Sequence, residues 1–345
     1  MPPLPPCPLA VVVINYRTPD MTIECAQTVL PELPEGGRLV IVENASGDGS
    51  AERLAAWAEG REGVTLAVSS TNDGFSGGNN RGMAAVPDAA RYLLLNSDAF
   101  VRPGAVAEML RVADANPAAG LIHPVLIDPD GTHQISRFRS FRPVTELVRG
   151  SGLDVVAKRT RRGVVAIPLG SDEASDWVSF ACVMLEGRMV AEIGPMDDGY
   201  FLYFEDAEYA ERARAAGWRI VQATEALVEH RRGGSSPVKA LTIARKRLPR
   251  YYYESRARYY RTRYGRAGLA AANLMWGTGR LLGQARRLGG KTPPPPAERE
   301  ARDLWTAAFG PVPHHAQAAP PAPMGPLPST TEHESEPAES PRHAS

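Results

Sequence analysis

Cysteine is scarce in this 345-residue chain: Cys7, Cys25 and Cys182 are the only three, and none forms a CxxC pair. An odd number leaves one thiol over in any disulfide scheme, so a disulfide-stapled secreted domain and a zinc-knuckle module are both poor fits. Net charge is lacking as well. Lys and Arg together number 39, and so do Asp and Glu, which argues against a globally basic nucleic-acid binder. Long hydrophobic runs are missing. The apolar stretch Leu9 to Ile14 has no Lys or Arg ahead of it and is too short for a signal peptide. The uncharged run from Ala267 to Gly279 falls short of the roughly 20 apolar residues that span a bilayer. No internal repeat is evident. These absences predict a chain made and kept on the cytoplasmic side, in reducing surroundings.

What is present divides into parts. After a short tail over residues 1–7, residues 8–236 alternate apolar strands, helices and glycine-bearing loops. Leu9 to Ile14 reads as a buried strand, Thr22 to Leu30 as a helix, and Arg38 to Val42 as a second buried strand. Ser50 to Glu59 follows as a helix, Val64 to Ser69 as a strand, Asn79 to Ala85 as a helix start, and Arg91 to Leu95 as a strand. Such alternation predicts an α/β fold with a mostly parallel sheet covered on both faces, its ligands at the carboxyl ends of the strands. Residues 237–291 carry about fourteen Lys and Arg against the single Glu254. There Ala271, Leu274, Met275, Leu281, Leu282 and Ala285 share one helical face, with Arg280, Arg286 and Arg287 opposite. The Tyr251–Tyr264 stretch interleaves tyrosine and arginine, which suits either a lipid-headgroup interface or a helix packed on the body. Residues 292–345 are rich in Pro, Ala, Ser, His and Glu and read as a disordered tail, with a short helix possible near Glu298 to Phe309.

Clusters with chemical potential fall where strands should end. Asn15-Tyr16-Arg17 follows the first strand and Glu43-Asn44-Ala45-Ser46-Gly47-Asp48 the second; a carboxylate there can hydrogen-bond a ribose or a base, while a turn with a helix cap is the plainer alternative. Asn72 to Gly82 is a Gly/Asn-rich stretch, neither GxGxxG nor Walker A, read as a loop whose backbone N–H groups and Arg81 can face an anion. Asn96-Ser97-Asp98 offers a carboxylate for a hard divalent cation, or a helix cap. In Tyr200 to Tyr209, Glu205 and Asp206 sit among aromatics, where burial raises proton affinity and suits a general base. His230 leaves a strand beside Arg231 and Arg232 and can serve as a metal ligand.

Taken in order, these pieces resemble the family 2 glycosyltransferases of the inverting GT-A type, in particular their bacterial rhamnosyltransferase-like branch. The resemblance rests on Val11 to Tyr16, Val42 to Ser50, Asn72 to Asn80, Leu95-Asn-Ser-Asp98, Asp176-Trp177-Val-Ser-Phe-Ala-Cys182, Gly194-Pro-Met-Asp197, Phe201-Leu-Tyr-Phe-Glu-Asp206, Ala216-Gly-Trp218 and His230. It implies a GT-A fold, a Rossmann-like mixed sheet flanked by helices, with residues 237–291 as a helical extension. By the same resemblance, Asn15, Glu43 and Asn44 hold the nucleoside, Gly77, Gly78, Asn79 and Asn80 face the donor, and Asp98 completes a DxD-like site for Mg²⁺ or Mn²⁺, with His230 on the metal. Asp206 is then the catalytic base, and Asp176, Trp177 and Glu205 contact the acceptor.

The implied reaction moves one sugar, dTDP-L-rhamnose being the donor this branch favours, to a glycan or polyprenyl-linked acceptor in cell-envelope polysaccharide synthesis. Peripheral membrane contact through residues 237–291, at the inner face of the plasma membrane, fits such an acceptor. No nucleic-acid motif accompanies the Arg/Tyr segment. The sequence departs from the commoner pattern at Glu43, where Asp is usual, at Asn96, which leaves one carboxylate of the DxD, at Glu208, and at Phe180-Ala181. The alternative is a nucleotide-sugar-binding or membrane-associated scaffold without turnover, against which the presence of both Asp98 and Asp206 argues.

Overall fold

The computed structural model describes residues 7–160, 163–231, 238–285 and 295–311. Its strands are β1 (Ala10–Asn15), β2 (Arg38–Asn44), β3 (Val64–Ser69), β4 (Arg91–Asn96), β5 (Ala99–Val101), β6 (Ala119–Ile127), β7 (Arg137–Phe138), β8 (Trp177–Val178), β9 (Cys182–Glu186) and β10 (Arg219–His230). The helices are α1 (Pro19–Val29), α2 (Ser50–Ala58), α3 (Gly74–Ala84), α4 (Ala105–Ala115), α5 (Pro143–Ser151), α6 (Asp154–Arg159), α7 (Gly187–Ile193), α8 (Glu205–Ala215), α9 (Val238–Ile243), α10 (Arg250–Gln284) and α11 (Glu300–Asp303).

Eight strands form one sheet in the order β3-β2-β1-β4-β9-β6-β10-β5, and β7 pairs with β8 apart from it. The β3-β2-β1-β4 half is parallel throughout. Beyond it β9 runs antiparallel to both β4 and β6, while β10 is parallel to β6. The sheet is therefore mixed, and β1, β2, β4, β6 and β10 all point the same way. Apolar runs explain its position: Leu9, Val11, Val13, Leu39, Ile41, Leu93 and Leu95 face one layer, and Val12, Val40, Val42, Leu94, Val183 and Leu185 the other, each layer closed by helices.

Two expectations about local structure change. Helix α1 begins at Pro19, three residues earlier than the periodicity suggested, because Pro fits the first turn of a helix and Asp20 favours its positive end. The expected loop over Asn72–Gly82 is helical from Gly74 onward. Its glycines serve close packing: a Cβ at Gly82 would lie 2.2 Å from Val12 Cγ1, and one at Gly78 2.8 Å from Ile14 Cδ1. Helix α3 thus lies almost directly on β1.

The basic segment joins the body. In its first half Tyr253, Arg256, Ala257, Tyr259 and Tyr260 are buried, so the tyrosine-arginine mixture packs inward. Past a break at Gly265 (φ 68°, ψ −176°), α10 crosses α5 with backbones in contact. A Cβ at Gly150 would stand 2.3 Å from Trp276 O, and one at Gly279 2.4 Å from Leu147 O. The face carrying Leu274, Leu281 and Leu282 points away from α5 into solvent, with Leu281 74% exposed. Arg286, Arg287 and Lys291 lie outside the described residues. Residues 295–311 lie against α10: Asn273 Nδ2 donates to Leu304 O at 2.9 Å and Arg261 Nη1 to Ala307 O at 2.8 Å. Residues 312–345 lie outside the described part.

Candidate active site

The parallel register brings Asn15 level with Glu43, and Asn96 level with Ile14, at one edge of the sheet. That edge is where chain reversals leave backbone and polar side chains unshielded by helices, and where α/β sheets bind ligands. Asn15 accepts Thr22 Oγ1–H at 2.9 Å and donates to Ser46 Oγ at 3.2 Å. Both Glu43 oxygens accept backbone N–H bonds, from Ala45 (3.1 Å) and Ser46 (2.8 Å). Arg17 (φ 61°) and Ala45 (φ 56°) are left-handed there without being glycine, a feature that gathers at binding turns. The Asp48 carboxylate accepts Ser50 N–H and Oγ–H, at 3.1 and 2.6 Å, so that residue is a turn and cap.

Asn44 spends its amide on the start of α3: Nδ2 donates to Gly74 O (3.0 Å) and Asn72 Oδ1 (3.1 Å), and Oδ1 accepts from Asp73 N (3.1 Å). Asn79 bonds back to Phe75 O at 3.1 Å. Asn80 grips the Met196 backbone from both sides, at 2.8 and 2.9 Å, and Arg81 pairs with Asp73 at 2.8 Å. Gly77 to Asn80 therefore lie in helix α3, where Asn79 and Asn80 bond to backbone, and not in an open loop. Gly74 (φ 67°) matters most in this stretch, because a Cβ would collide with Phe201 O at 2.2 Å, the same oxygen that accepts Phe75 N–H at 2.7 Å. Through that contact the end of β2 meets the turn that leads to Glu205 and Asp206.

A second cluster forms where the turn after β4 enters β5, which pairs with the end of β10. Buried Asp98 sits with Oδ1 3.5 Å from His230 Nε2. Gln134, which no motif singled out, fixes that imidazole. Its Nε2 donates to His230 O and Asp128 Oδ1, both at 2.7 Å, so its Oε1 is the atom presented to His230 Nδ1 at 3.1 Å. Nδ1 then carries a proton, and Nε2 is the ring nitrogen that faces Asp98. The sequence signal for Gln134 was the turn Asp128-Pro-Asp-Gly131, which folds the chain back across the end of β6. Among the described residues no group of three or more His, Cys, Asp or Glu is placed to hold a metal ion. A carboxylate and one imidazole nitrogen, completed by substrate phosphate oxygens and water, suit a divalent cation of the Mg²⁺ or Mn²⁺ kind.

Glu205 and Asp206 open α8. The two residues before them, Tyr203 (φ 73°) and Phe204 (φ 71°), are both left-handed, so the chain is bent sharply to present them. Glu205 is buried, and its Oε2 has no hydrogen-bond partner among the described residues. Asp206 is partly buried, with Oδ1 accepting Ala207 N–H at 2.8 Å. Burial pushes both carboxyls up, Glu205 further by the neighbouring Asp206 charge, and Asp206 to about 7. A carboxyl that holds its proton near neutrality is matched to general-base work.

Asp176 and Trp177 have different surroundings. Trp177 is buried, stacked 4.2 Å from the Phe138 ring, with its N–H donated to Arg139 O at 2.9 Å. Asp176 accepts Ser140 N–H and pairs with Arg214, each at 2.9 Å. Both hold the β7–β8 wall in place, and the indole offers an acceptor no polar group.

Comparison with known proteins matches residues 10–163 to the Glycosyl transferase family 2 domain. The chain is 26% identical over 214 residues to the N-acetylglucosaminyl-diphospho-decaprenol L-rhamnosyltransferase of Mycobacterium tuberculosis, covering 57% of this chain and 67% of that protein. It is 23% identical over 217 residues to the low-salt glycan biosynthesis hexosyltransferase Agl10 of Haloferax volcanii, covering 62% of this chain and 64% of that one. Among solved structures it resembles the mannosyltransferase PcManGT of Pyrobaculum calidifontis in complex with GDP-Man and Mn²⁺ (TM-score 0.53, 13% identity, 84% of this chain and 79% of that one). It also resembles GalNAc-T7 with UDP, GalNAc and Mn²⁺ (TM-score 0.54, 14% identity, 87% and 56%). The fold is of the GT-A type.

Proposed function

We propose that this chain, whose residues 10–163 match the glycosyl transferase family 2 domain, is a hexosyltransferase that uses a nucleotide-sugar donor and transfers a single L-rhamnose from dTDP-L-rhamnose. The acceptor is a hydroxyl of a lipid-linked glycan at the inner face of the plasma membrane. The observation that carries the reading is the shared strand edge. It has the Asp98–His230 pair at one place, and Asn44, Gly74 and Phe201 tie the end of β2 to the turn ahead of the raised Glu205–Asp206 carboxyls. The named substrate of the mycobacterial relative supports rhamnose and a polyprenyl diphosphate carrier.

Asp206 removes the acceptor proton as that oxygen attacks the anomeric carbon opposite the departing nucleoside diphosphate, so one bond forms as the other breaks and the configuration inverts. Asp98 and His230 are the residues that would hold a divalent cation, which would supply positive charge against the leaving diphosphate. Asn15, Glu43 and Asn44 shape the nucleoside end by fixing the turns that follow β1 and β2. Glu205, next to the base, lines the acceptor side in this reading.

A panel of nucleotide sugars offered with Mn²⁺ and a polyprenyl diphosphate-linked N-acetylglucosamine tests this. Mass spectrometry is expected to find a deoxyhexose added from dTDP-rhamnose, and addition of a different sugar would refute the rhamnose assignment.

A lipid-linked acceptor implies a membrane surface, and no helix among the described residues is long and apolar enough to cross one. The solvent face of α10, with Leu274, Leu281 and Leu282 exposed, fits peripheral contact, with Arg286, Arg287 and Lys291 following in the sequence. Flotation with vesicles containing anionic lipid is expected to carry the protein. Replacing Leu281 and Leu282 with Asp should leave it at the bottom of the gradient, and equal flotation of this double variant would remove the face from the account.

A further inference from the structure

Helix α10 reaches the start of the turn ahead of Glu205 through Arg258. Arg258 Nε and Nη2 donate to Asp197 Oδ2 and Oδ1 at 2.8 and 2.7 Å. Its guanidinium lies 5.5 Å from the centroid of the buried Tyr200 ring. Gly199 makes room for it, since a Cβ there would fall 2.1 Å from Arg258 Cζ. Asp197 in turn organises the turn from within: its Oδ1 accepts Gly199 N–H at 2.9 Å and its carbonyl accepts Tyr200 N–H at 3.1 Å. The opposite side of the same turn is held by Phe75 N–H on Phe201 O, at 2.7 Å. Asn80 holds Met196, one residue before Asp197. Aromatic contacts of Phe201 with Tyr251, Tyr203 with Tyr252, and Phe204 with Tyr252 and Tyr259 lay α10 along its length.

These contacts surround an unfavourable backbone. Tyr203 and Phe204 are consecutive left-handed residues with side chains, a conformation that persists only where neighbours over-determine it. A bidentate arginine–carboxylate pair is the most directional of the restraints present.

We propose that Arg258 is a positioning residue for sugar transfer: its paired grip on Asp197 holds the turn 197–204 in the bend that sets Asp206 against the acceptor. The inference rests on Asp206 as the base, and it gives the basic segment a part in the chemistry beyond packing. Arg258 touches no reacting atom. Its loss lets the turn relax, and displacement of a base by about 1 Å costs on the order of 100-fold in rate.

The test compares Arg258→Ala, Asp197→Asn and the double variant in the full chain, with Arg247→Ala as control. Arg247 belongs to the same extension but pairs with Asp303, away from the turn. Folded fraction is set by circular dichroism, donor Kd by calorimetry with Mn²⁺, and kcat by transfer. Each single variant is expected to lose about 100-fold in kcat with donor Kd within about threefold, and the double variant to lose no more than either single one. Arg258→Lys, which keeps one hydrogen bond, should fall between, while Arg247→Ala keeps its kcat. Transfer by folded Arg258→Ala within about threefold of the parent, a loss confined to donor affinity, or multiplied losses in the double variant would overturn the proposal. Asp206→Asn run in parallel separates the two readings. If it is active, the base assignment falls and this inference with it; if it is inactive while Arg258→Ala is fully active, only the positioning role falls.

Discussion

Asp206→Asn is expected to abolish transfer, with kcat down by on the order of 10²–10⁴-fold, the usual contribution of a positioned general base. Asn keeps the size of the side chain and can still accept Ala207 N–H, so α8 should start where it does now and donor affinity should stay within a few-fold of the parent. The pH profile of the parent follows from the direction of the shift. Burial raises the Asp206 carboxyl to about 7, only the ionised form accepts a proton, and kcat therefore rises with pH through about 7. Stability runs the other way. A carboxyl whose folded pKa lies above its unfolded one binds its proton more tightly in the folded chain, so its favourable contribution is complete at low pH and is lost as pH rises through the folded value. Asp206→Asn should accordingly melt higher than the parent at pH 8 and nearly the same at pH 4. Undiminished turnover removes Asp206 as base, and a lower melting temperature at pH 8 contradicts the burial account of its shift.

The second large effect is structural. Arg256, on α10, is 1% exposed and donates to Glu146 Oε1 at 3.0 Å and to Asn273 Oδ1 at 2.9 Å, with its guanidinium 4.9 Å from the Tyr260 ring centroid. Glu146 is also buried and is shared with Arg149, which continues the chain of charges to Glu300. These pairs hold Glu146 below the usual carboxylate range despite its burial. Arg256→Ala leaves that carboxylate with one partner, the Asn273 carbonyl oxygen without its guanidinium donor, and a void where a large side chain stood. Breaking one side of a buried pair costs about 3–5 kcal/mol, enough to unfold a marginal protein. Urea unfolding should show a lower midpoint with an unchanged slope, and residues 295–311, tied to α10 through Asn273 and Arg261, should become sensitive to protease. A loss below about 1 kcal/mol would mean that the network is not under the burial its geometry implies.

The parallel half of the sheet was legible because buried strands announce themselves: Val11 to Ile14, Leu39 to Val42 and Tyr92 to Leu95 are continuous apolar runs ending in polar clusters. The edge at which Asn15, Glu43 and Asp98 meet followed from the same pattern. What stayed hidden depended on tertiary contact. Nothing in the spacing of Gly74, Gly78 and Gly82 tells a loop from a helix pressed on a strand; the difference is the 2.2 Å approach of Val12 to the Cβ position of Gly82. The tyrosines of α10 looked fit for an interface, and they are buried because their partners, Phe141, Phe201 and Phe204, come from segments far away in the chain. Gln134 and Arg258 carry no motif at all. Their importance lies in the hydrogen bonds they make to His230 and Asp197, which only the folded chain brings near.

A single displacement driven by Asp206 fixes the anomeric configuration of the product. Transfer from dTDP-rhamnose in the presence of Mn²⁺, read by nuclear magnetic resonance of the isolated glycan, is predicted to give the configuration opposite to that of the donor. A product that keeps the donor configuration would contradict the account, because it requires two displacements or a front-side path in which Asp206 is not the in-line base.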